Sequence, residues 1–331
     1  MDVFPTQYSV LSAKALGKFL AVKYPLQGMT CRLLIHNVSD TYILESSKVK
    51  FIFKIYRDSH RKLKEIEAEV ELLSLLKDGK AKVSFPILDL EGKYIQSFNA
   101  AEGTRYGVLF NYAIGKVVPD MNDEQLITVG REMAKIHNIT STIELKNYRK
   151  EYSIDTTLIN PLIIFKPAFE ELREEYAFLN ETVNRVANSV NKLNLENFSY
   201  GYCQYDFLPK NFHFDNTGNI TFFDFDFAGK GYLINDVASF YIHFFLEVYY
   251  GKLYQDDADK AFAIFVAAYR QVRPISDEEL AAIPYFGFAF WIFYLGFQYE
   301  NFDDWSNIFF GPKFLKDRTT LIKKWVEWYL D

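Results

Sequence analysis

Apolar positions at a 3.6-residue repeat open the chain, where Val10, Leu11, Ala15, Leu16, Phe19 and Leu20 predict a helix over residues 9–23. Three short runs rich in β-branched and aromatic residues follow, at 31–35, 41–44 and 49–56, and read as strands. The polar stretch His36-Asn37-Val38-Ser39-Asp40 is the turn between the first two. A second helix is predicted from about 59 to 77. Strand-like segments come next at 85–90, 94–96 and 106–111, with Glu91-Gly92 as a turn. Beyond residue 112 helical periodicity dominates, at 122–138, 167–194, 233–250, 256–271 and 278–299. One β-rich island interrupts it at 211–227. This order predicts an α+β protein: a small antiparallel-sheet N-terminal lobe, 1–111, and a larger, mainly helical C-terminal lobe, 112–331. A small-molecule site is expected in a cleft between such lobes.

Composition narrows the function classes. Hydrophobic residues make up 49% of the chain and aromatic residues 18%, with 32 Phe and 23 Tyr. Most of these rings must lie in the core, since burying a Phe is favourable by about 1.5–3 kcal/mol. A formal net charge of -6 argues against nucleic acid as a partner, which would need clustered Lys and Arg. The two cysteines, Cys31 and Cys203, have no metal-ligand spacing and form no disulfide framework, so reduced thiols in a cytoplasmic protein are expected. The first residues lack a basic stretch followed by a long apolar run, so no secretory signal is read there. Gly287, Gly296 and Gln298 break the apolar clusters near the C-terminus, so no membrane span is expected.

The chemistry concentrates in residues 201–240. Asp206 and Asn211 stand in a D-x-x-x-x-N spacing, and Asp224 opens an Asp-Phe-Asp triplet further on. Between them, two strand-like pieces flank the turn Asp215-Asn216-Thr217-Gly218-Asn219. Such a ribbon returns the chain to its starting end, so Asn211 and Asp224 can converge, with Asp206 on the same rim. One amide oxygen and one carboxylate suit Mg²⁺, which takes few protein ligands and keeps phosphate oxygens and waters. A further carboxylate suits accepting a hydroxyl proton. Asp226 divides evenly between supporting a cation and capping the ribbon's end.

The first lobe offers a second constellation. Lys54 lies on the strand 49–56, followed by a helix, where a kinase places the lysine that reaches nucleotide phosphates. At about 100° per residue, Ile66, Val70, Leu72, Leu73 and Leu76 form one apolar face of that helix, and Glu69 falls in its middle. A carboxylate aimed at a core is costly unless paired, and Lys54 is its natural partner. Lys50 is the rival lysine and Glu65 the weaker alternative glutamate.

Residues 201–240 resemble the catalytic segment of the aminoglycoside phosphotransferase and choline kinase superfamily, the small-molecule relatives of the protein kinases. The resemblance implies a two-lobed, protein-kinase-like fold. It implies Asp206 as catalytic residue, Asn211 and Asp224 as Mg²⁺ ligands, and Asp236 as a structural aspartate. Gln204-Tyr205 stands where the family carries His-Gly, which puts the loop's conformation in question. Glu69, Leu73 and Leu76 match the family's Glu-x-x-x-Leu-x-x-Leu. Residues 37–41 fall where relatives carry a phosphate-covering loop, which implies phosphate contacts from Ser39 and neighbouring N–H groups; an ordinary hairpin turn accounts for the stretch equally well. Residues 108–114, with Phe110 and Tyr112, match the segment whose backbone bonds a purine edge. Residues 129–137 resemble a family helix ending in histidine, and His137 there is read as a packed residue. His213 is read as structural too.

The implied activity is Mg²⁺-dependent transfer of the γ-phosphate of ATP or GTP to a hydroxyl of a small molecule, such as an aminoglycoside or amino alcohol. The alternatives are a protein Ser/Thr kinase on the same scaffold, and a nucleotide-binding protein with weak or no catalysis. Residues 285–305 gather Tyr285, Phe288, Phe290, Trp291, Phe293, Tyr294, Phe297, Tyr299, Phe302 and Trp305, with Glu300, Asp303 and Asp304 close by. They would either line a pocket for a cationic acceptor or pack helices.

Overall fold

In the computed structural model, which describes residues 5–6, 9–301 and 310–331, the first helix, α1 (Ala13–Lys23), starts later than its periodicity predicts. The hydroxyl of Ser12 accepts the Ala15 N–H at 3.4 Å and fixes that start. Strands β1 (Thr30–His36), β2 (Ser39–Glu45) and β3 (Lys50–Tyr56) follow, then α2 (Leu63–Asp78), β4 (Ile95–Ala100) and β5 (Gly103–Asn111). The five strands form one antiparallel sheet in the order β1-β2-β3-β5-β4. Leu16, Leu20 and Tyr24 of the α1 region pack with Tyr42, Leu44, Phe53, Ile55 and Leu109 of the sheet.

Two expectations are corrected here. The turn between β1 and β2 is only Asn37-Val38, because both strands run on through the polar stretch. Asp40, expected in that turn, is fully buried on β2 and ion-paired at 2.8 Å with Arg105 of β5. A desolvated carboxylate needs such a partner, and the partner holds this polar residue in the sheet. Residues 85–90 do not form a strand. Pro86, which has no N–H to donate, makes only an isolated bridge to Phe110.

The chain divides into two compact units. One runs up to Ile114 and includes Leu145–Tyr148; the other holds Gly115–Glu144 and Arg149–Asp331. In the second unit, α3 (Asp123–Thr140) begins with a capping box, Asn122 and Gln125 exchanging side chain-to-backbone bonds of 3.0 Å. Then come α4 (Asn160–Phe165), α5 (Arg173–Val190), β6 (Tyr200–Cys203), β7 (Phe212–Phe214), β8 (Ile220–Phe222) and β9 (Gly229–Tyr232). The last helices are α6 (Ile234–Tyr249), α7 (Gln255–Arg270), α8 (Asp277–Ala281), α9 (Ile283–Asn301) and α10 (Pro312–Tyr329).

The single helix expected over 278–299 is two, since Ser276 and Glu279 cap a short α8 before the chain turns into α9. The helix expected from 167 starts at Arg173, after a 3-10 turn containing Pro167. Helix α9 is apolar on nearly all sides because it is a core helix, not a membrane span. At Gly287 a Cβ would meet Trp325 Cζ2 at 2.2 Å, so only glycine lets α10 approach so closely. No helix among the described residues is long and apolar enough to cross a membrane.

Candidate active site

The ribbon β7–β8 has the register Phe212↔Phe222, His213↔Thr221 and Phe214↔Ile220. Its tip is ordered by Asp215, whose Oδ1 accepts from Thr217 N at 2.8 Å, Thr217 Oγ1 at 2.7 Å and Asn219 N at 3.0 Å. The Thr217 hydroxyl and these amides pull the Asp215 carboxyl down to about 2. Its base is anchored by the buried rings of Phe212 and Phe222, the latter 4.8 Å from Phe207. There the Phe223 N–H donates to Asn211 O at 2.9 Å, so Asn211 and the residue before Asp224 meet directly. The two ends of the ribbon thus meet in the backbone.

Asp206 is 3% exposed and Asn211 is 5% exposed, whereas Asp224 stands at the surface with φ 59°. Asn211 Nδ2 donates to Asp206 O at 2.8 Å and to Asp206 Oδ2 at 3.0 Å. Lys210 Nζ lies 2.8 Å from the same Oδ2. Asp206 Oδ1 is buried and has no hydrogen-bond partner. Burial raises the Asp206 pKa and the charge of Asp224 adds to that, outweighing the opposing pull of Lys210 and Asn211. For Lys210, partial burial would lower the pKa, but the Asp206 carboxylate more than offsets it. Lys210 was missing from the residues expected at the site. Its signal is a basic residue four positions after the aspartate and directly before the asparagine.

The loop carrying Asp206 is held from behind by Asp236, which is fully buried in the first turn of α6. Its Oδ1 accepts the Tyr205 N–H at 2.6 Å and its Oδ2 accepts the Gln204 N–H at 2.9 Å. His137 Nε2 donates to Oδ2 at 3.1 Å, which leaves Nδ1 to accept from the Tyr269 hydroxyl at 2.7 Å. His137 is thus a buried bracing residue of α3.

Tyr205 has φ 72°, a left-handed conformation that a glycine adopts without strain. The tyrosine is accommodated because its ring stacks on Tyr152, with centroids 3.7 Å apart and planes at 9°, and meets the Phe293 edge at 4.9 Å. Gln204 Nε2 donates to Phe223 O at 2.8 Å and to Asp224 O at 3.3 Å, tying the loop to the end of the ribbon. The Gln-Tyr pair therefore holds a bonded, packed loop.

These donors fit a small hard cation. With its Nδ2 turned onto Asp206, the Asn211 carboxamide has its oxygen left over for a cation, and the Asp224 carboxylate adds oxygen donors. Among the described residues no group of three or more His, Cys, Asp or Glu could hold a metal by itself. An ion here would rely on an amide oxygen and on oxygens from its substrate.

The remaining expected residues all lie in the other unit. Lys54 sits on β3 between Thr41 and Val108, half-buried, with Nζ 5.0 Å from the Tyr56 ring. Glu69 is 2% exposed on the buried face of α2, as the helical phase requires. Lys50, the rival lysine, points to the surface beside Glu45 at 3.5 Å. Glu65, the alternative glutamate, is engaged at the start of α2, its Oε2 accepting the Lys62 N–H at 3.0 Å. Ser39 opens β2, and its carbonyl accepts the Asn37 N–H at 3.0 Å. Phe110 pairs with Ile52 near the end of β5, and Tyr112 follows, half-buried.

Of the aromatic segment, Phe288, Phe290, Trp291, Phe293 and Phe297 are buried in the core of the second unit. Tyr294 is half-buried, and Lys210 Nζ is 5.8 Å from its ring centroid. Glu300 is exposed; Phe302, Asp303, Asp304 and Trp305 lie outside the described residues.

The chain is similar along most of its length to several known proteins. An uncharacterized protein of Synechocystis is 26% identical over 312 residues, covering 93% of this chain and 84% of the relative. The solved amicoumacin kinase hAmiN, in complex with AMP-PNP, Ca²⁺ and Ami, superposes with a TM-score of 0.75 at 22% identity, covering 94% of each chain. A microcompartment-associated aminopropanol kinase superposes with a TM-score of 0.73 at 18% identity, covering 94% of this chain and 95% of the other. At these identities the structural likenesses speak for the fold, which is protein-kinase-like. The family model of the phosphotransferase enzyme family matches residues 30–275, from β1 through the ribbon to the segment between α7 and α8. The chain belongs to that family and is a phosphotransferase of the kinase type.

Proposed function

We propose that the protein transfers the γ-phosphoryl group of ATP, or GTP, to a hydroxyl of a small molecule such as an aminoglycoside or amino alcohol, in a Mg²⁺-dependent reaction. The observation that carries this reading is the buried Asp206 carboxylate, with one oxygen held by Lys210 and Asn211 and the other without a partner. That free oxygen accepts the hydrogen of the acceptor hydroxyl as its oxygen bonds to the γ-phosphorus. The bond from the γ-phosphorus to the bridging oxygen breaks, and ADP (or GDP) leaves. Lys210 keeps Asp206 in place and presents positive charge where the transferred group carries negative charge.

Asn211 and Asp224 would hold Mg²⁺, which supplies charge neutralisation on the phosphate oxygens. Lys54, steadied by Glu69, binds phosphate oxygens, and the Asn37-Val38 turn with Ser39 at the start of β2 covers them through backbone N–H groups. The backbone around Phe110 and Tyr112 holds the base. Among the structural neighbours, one was solved with AMP-PNP and Ca²⁺, and another is an aminopropanol kinase; both support a nucleotide donor and a small acceptor here.

The test is ADP release from ATP and Mg²⁺ over a panel of amino sugars, choline, ethanolamine, amino alcohols and generic protein substrates. Stimulation by a small hydroxyl compound is the expected result. Asp206→Asn should lower kcat by about 10²–10⁴-fold and leave nucleotide affinity nearly unchanged. Stimulation by protein substrates alone would replace this reading with that of a protein kinase.

A further inference from the structure

Arg318 of α10 is a half-buried cation that has no anionic partner among the described residues. Its guanidinium carbon lies 5.3 Å from the Trp291 ring centroid and 5.3 Å from that of Phe314. Among the described residues no carboxylate pairs with it, and the groups acting on its charge are the phenols of Tyr294 and Tyr250. Partial burial draws its pKa below the ordinary arginine value. Two fully buried guanidinium groups, by contrast, have acceptors. Arg105 pairs with Asp40, and Arg149 donates to the carbonyls of Phe225, Asp226 and Ala228. Beside Arg318 lies a second unanswered donor: Trp291 is 3% exposed and its Nε1 is buried with no hydrogen-bond partner. The buried indole N–H left unmatched is costly unless a ligand supplies the acceptor, and the guanidinium beside it is only half-buried.

Position links these donors to the reacting end of the site. Trp291 and Tyr294 are three residues apart on α9, so they are neighbours on one face, with Cβ atoms about 5–6 Å apart. Arg318 covers Trp291, while Lys210, paired with Asp206, lies over Tyr294. The Tyr294 phenol feels the charges of Lys210, Asp206, Arg318 and Asp224 together. An acceptor whose hydroxyl reaches Asp206 and whose far end lies a few carbon atoms away would bring that end to Arg318.

We propose that Arg318 and Trp291 form an anion subsite of the acceptor site, selecting a hydroxyl compound that carries a carboxylate a few bonds from the hydroxyl to be phosphorylated. The planar guanidinium fork matches the two oxygens of a carboxylate, and the indole N–H adds a third bond. The subsite rests on the proposed role of Asp206 only for which end of the acceptor reacts.

The test titrates 4-hydroxybutanoate and its neutral analogue 4-hydroxybutanamide into the full chain without nucleotide, read by tryptophan fluorescence and calorimetry. The wild type should bind the carboxylate about 10- to 100-fold more tightly than the amide. Arg318→Gln should abolish that preference, and Arg318→Lys, which keeps the charge without the fork, should restore part of it. Melting curves of both variants establish that they are folded, and the wild-type comparison of the two probes decides even if one is not. No measurable binding of the carboxylate, equal binding of both probes, or an intact preference in folded Arg318→Gln overturns the proposal. Carboxylate preference without transfer to any acceptor would leave the subsite standing and sink the kinase reading. Transfer without such a preference would do the reverse.

Discussion

Replacing Asp236 by Asn probes how the loop bearing Asp206 is held. The carboxylate accepts three bonds, one at Oδ1 from Tyr205 N and two at Oδ2 from Gln204 N and His137 Nε2. An asparagine keeps one oxygen, which is best spent on the two donors at the Oδ2 position. Its NH₂ then faces the Tyr205 N–H, donor against donor. Losing one bond to a charged acceptor costs about 1.5–3 kcal/mol. The donor clash and the weakening of the other two bonds bring the total to about 3–5 kcal/mol, as for a broken buried ion pair. At about 2–4 °C per kcal/mol, the melting temperature should fall by roughly 6–20 °C. The Tyr205 amide also loses the anchor that offsets its left-handed φ of 72°. Asp206 is the next residue, and a shift of about 1 Å there lowers kcat by roughly 10²-fold. Calorimetric melting and acceptor-stimulated ADP release measure both. A variant that melts within about 1 °C of wild type with full kcat would refute the bracing role of Asp236.

Tyr205→Gly removes a left-handed strain of about 1–2 kcal/mol but leaves a ring-sized cavity worth about 3–5 kcal/mol, so denaturant unfolding should show a net loss of about 1–4 kcal/mol. A variant as stable as wild type would mean that the stack on Tyr152 contributes nothing. Asp215→Ala tests the ribbon tip through pH. The Asp215 pKa is depressed to about 2, so its contribution is complete above the ordinary aspartate value near 3.9 and fades as pH falls toward 2. The melting-temperature gap between wild type and Asp215→Ala should be largest at pH 5 or above and shrink below about pH 4; a constant gap would contradict this.

The ribbon was legible because a few residues suffice to specify it. Apolar strands flank an Asp-Asn-Thr-Gly-Asn turn, and a closed hairpin brings its two ends together wherever the rest of the chain lies. The buried position of Glu69 was legible for a similar reason, since helical phase alone sets the face. What stayed hidden depends on partners distant in sequence or on loop geometry without a period. Asp40 looked like a turn residue because Arg105, which neutralises it, arrives three strands later along the chain. Lys210 meets Asp206 across a 3-10 turn containing Pro209, where no helical repeat signals an i,i+4 pair. Tyr205 in place of glycine read as a disruption, and only the stacked Tyr152 ring shows where the bulk goes. Strands β6 and β9, four residues each and bearing glycines, carry too little β-propensity to stand out.

Phosphorus NMR on the full chain with ATP, Mg²⁺ and the best acceptor of the panel follows the γ-phosphoryl group itself. A new phosphomonoester resonance should grow with ADP in the wild type and be nearly absent with Asp206→Asn. Inorganic phosphate as the sole product, or equal ester formation by both proteins, would contradict transfer to a hydroxyl at the Asp206 carboxylate.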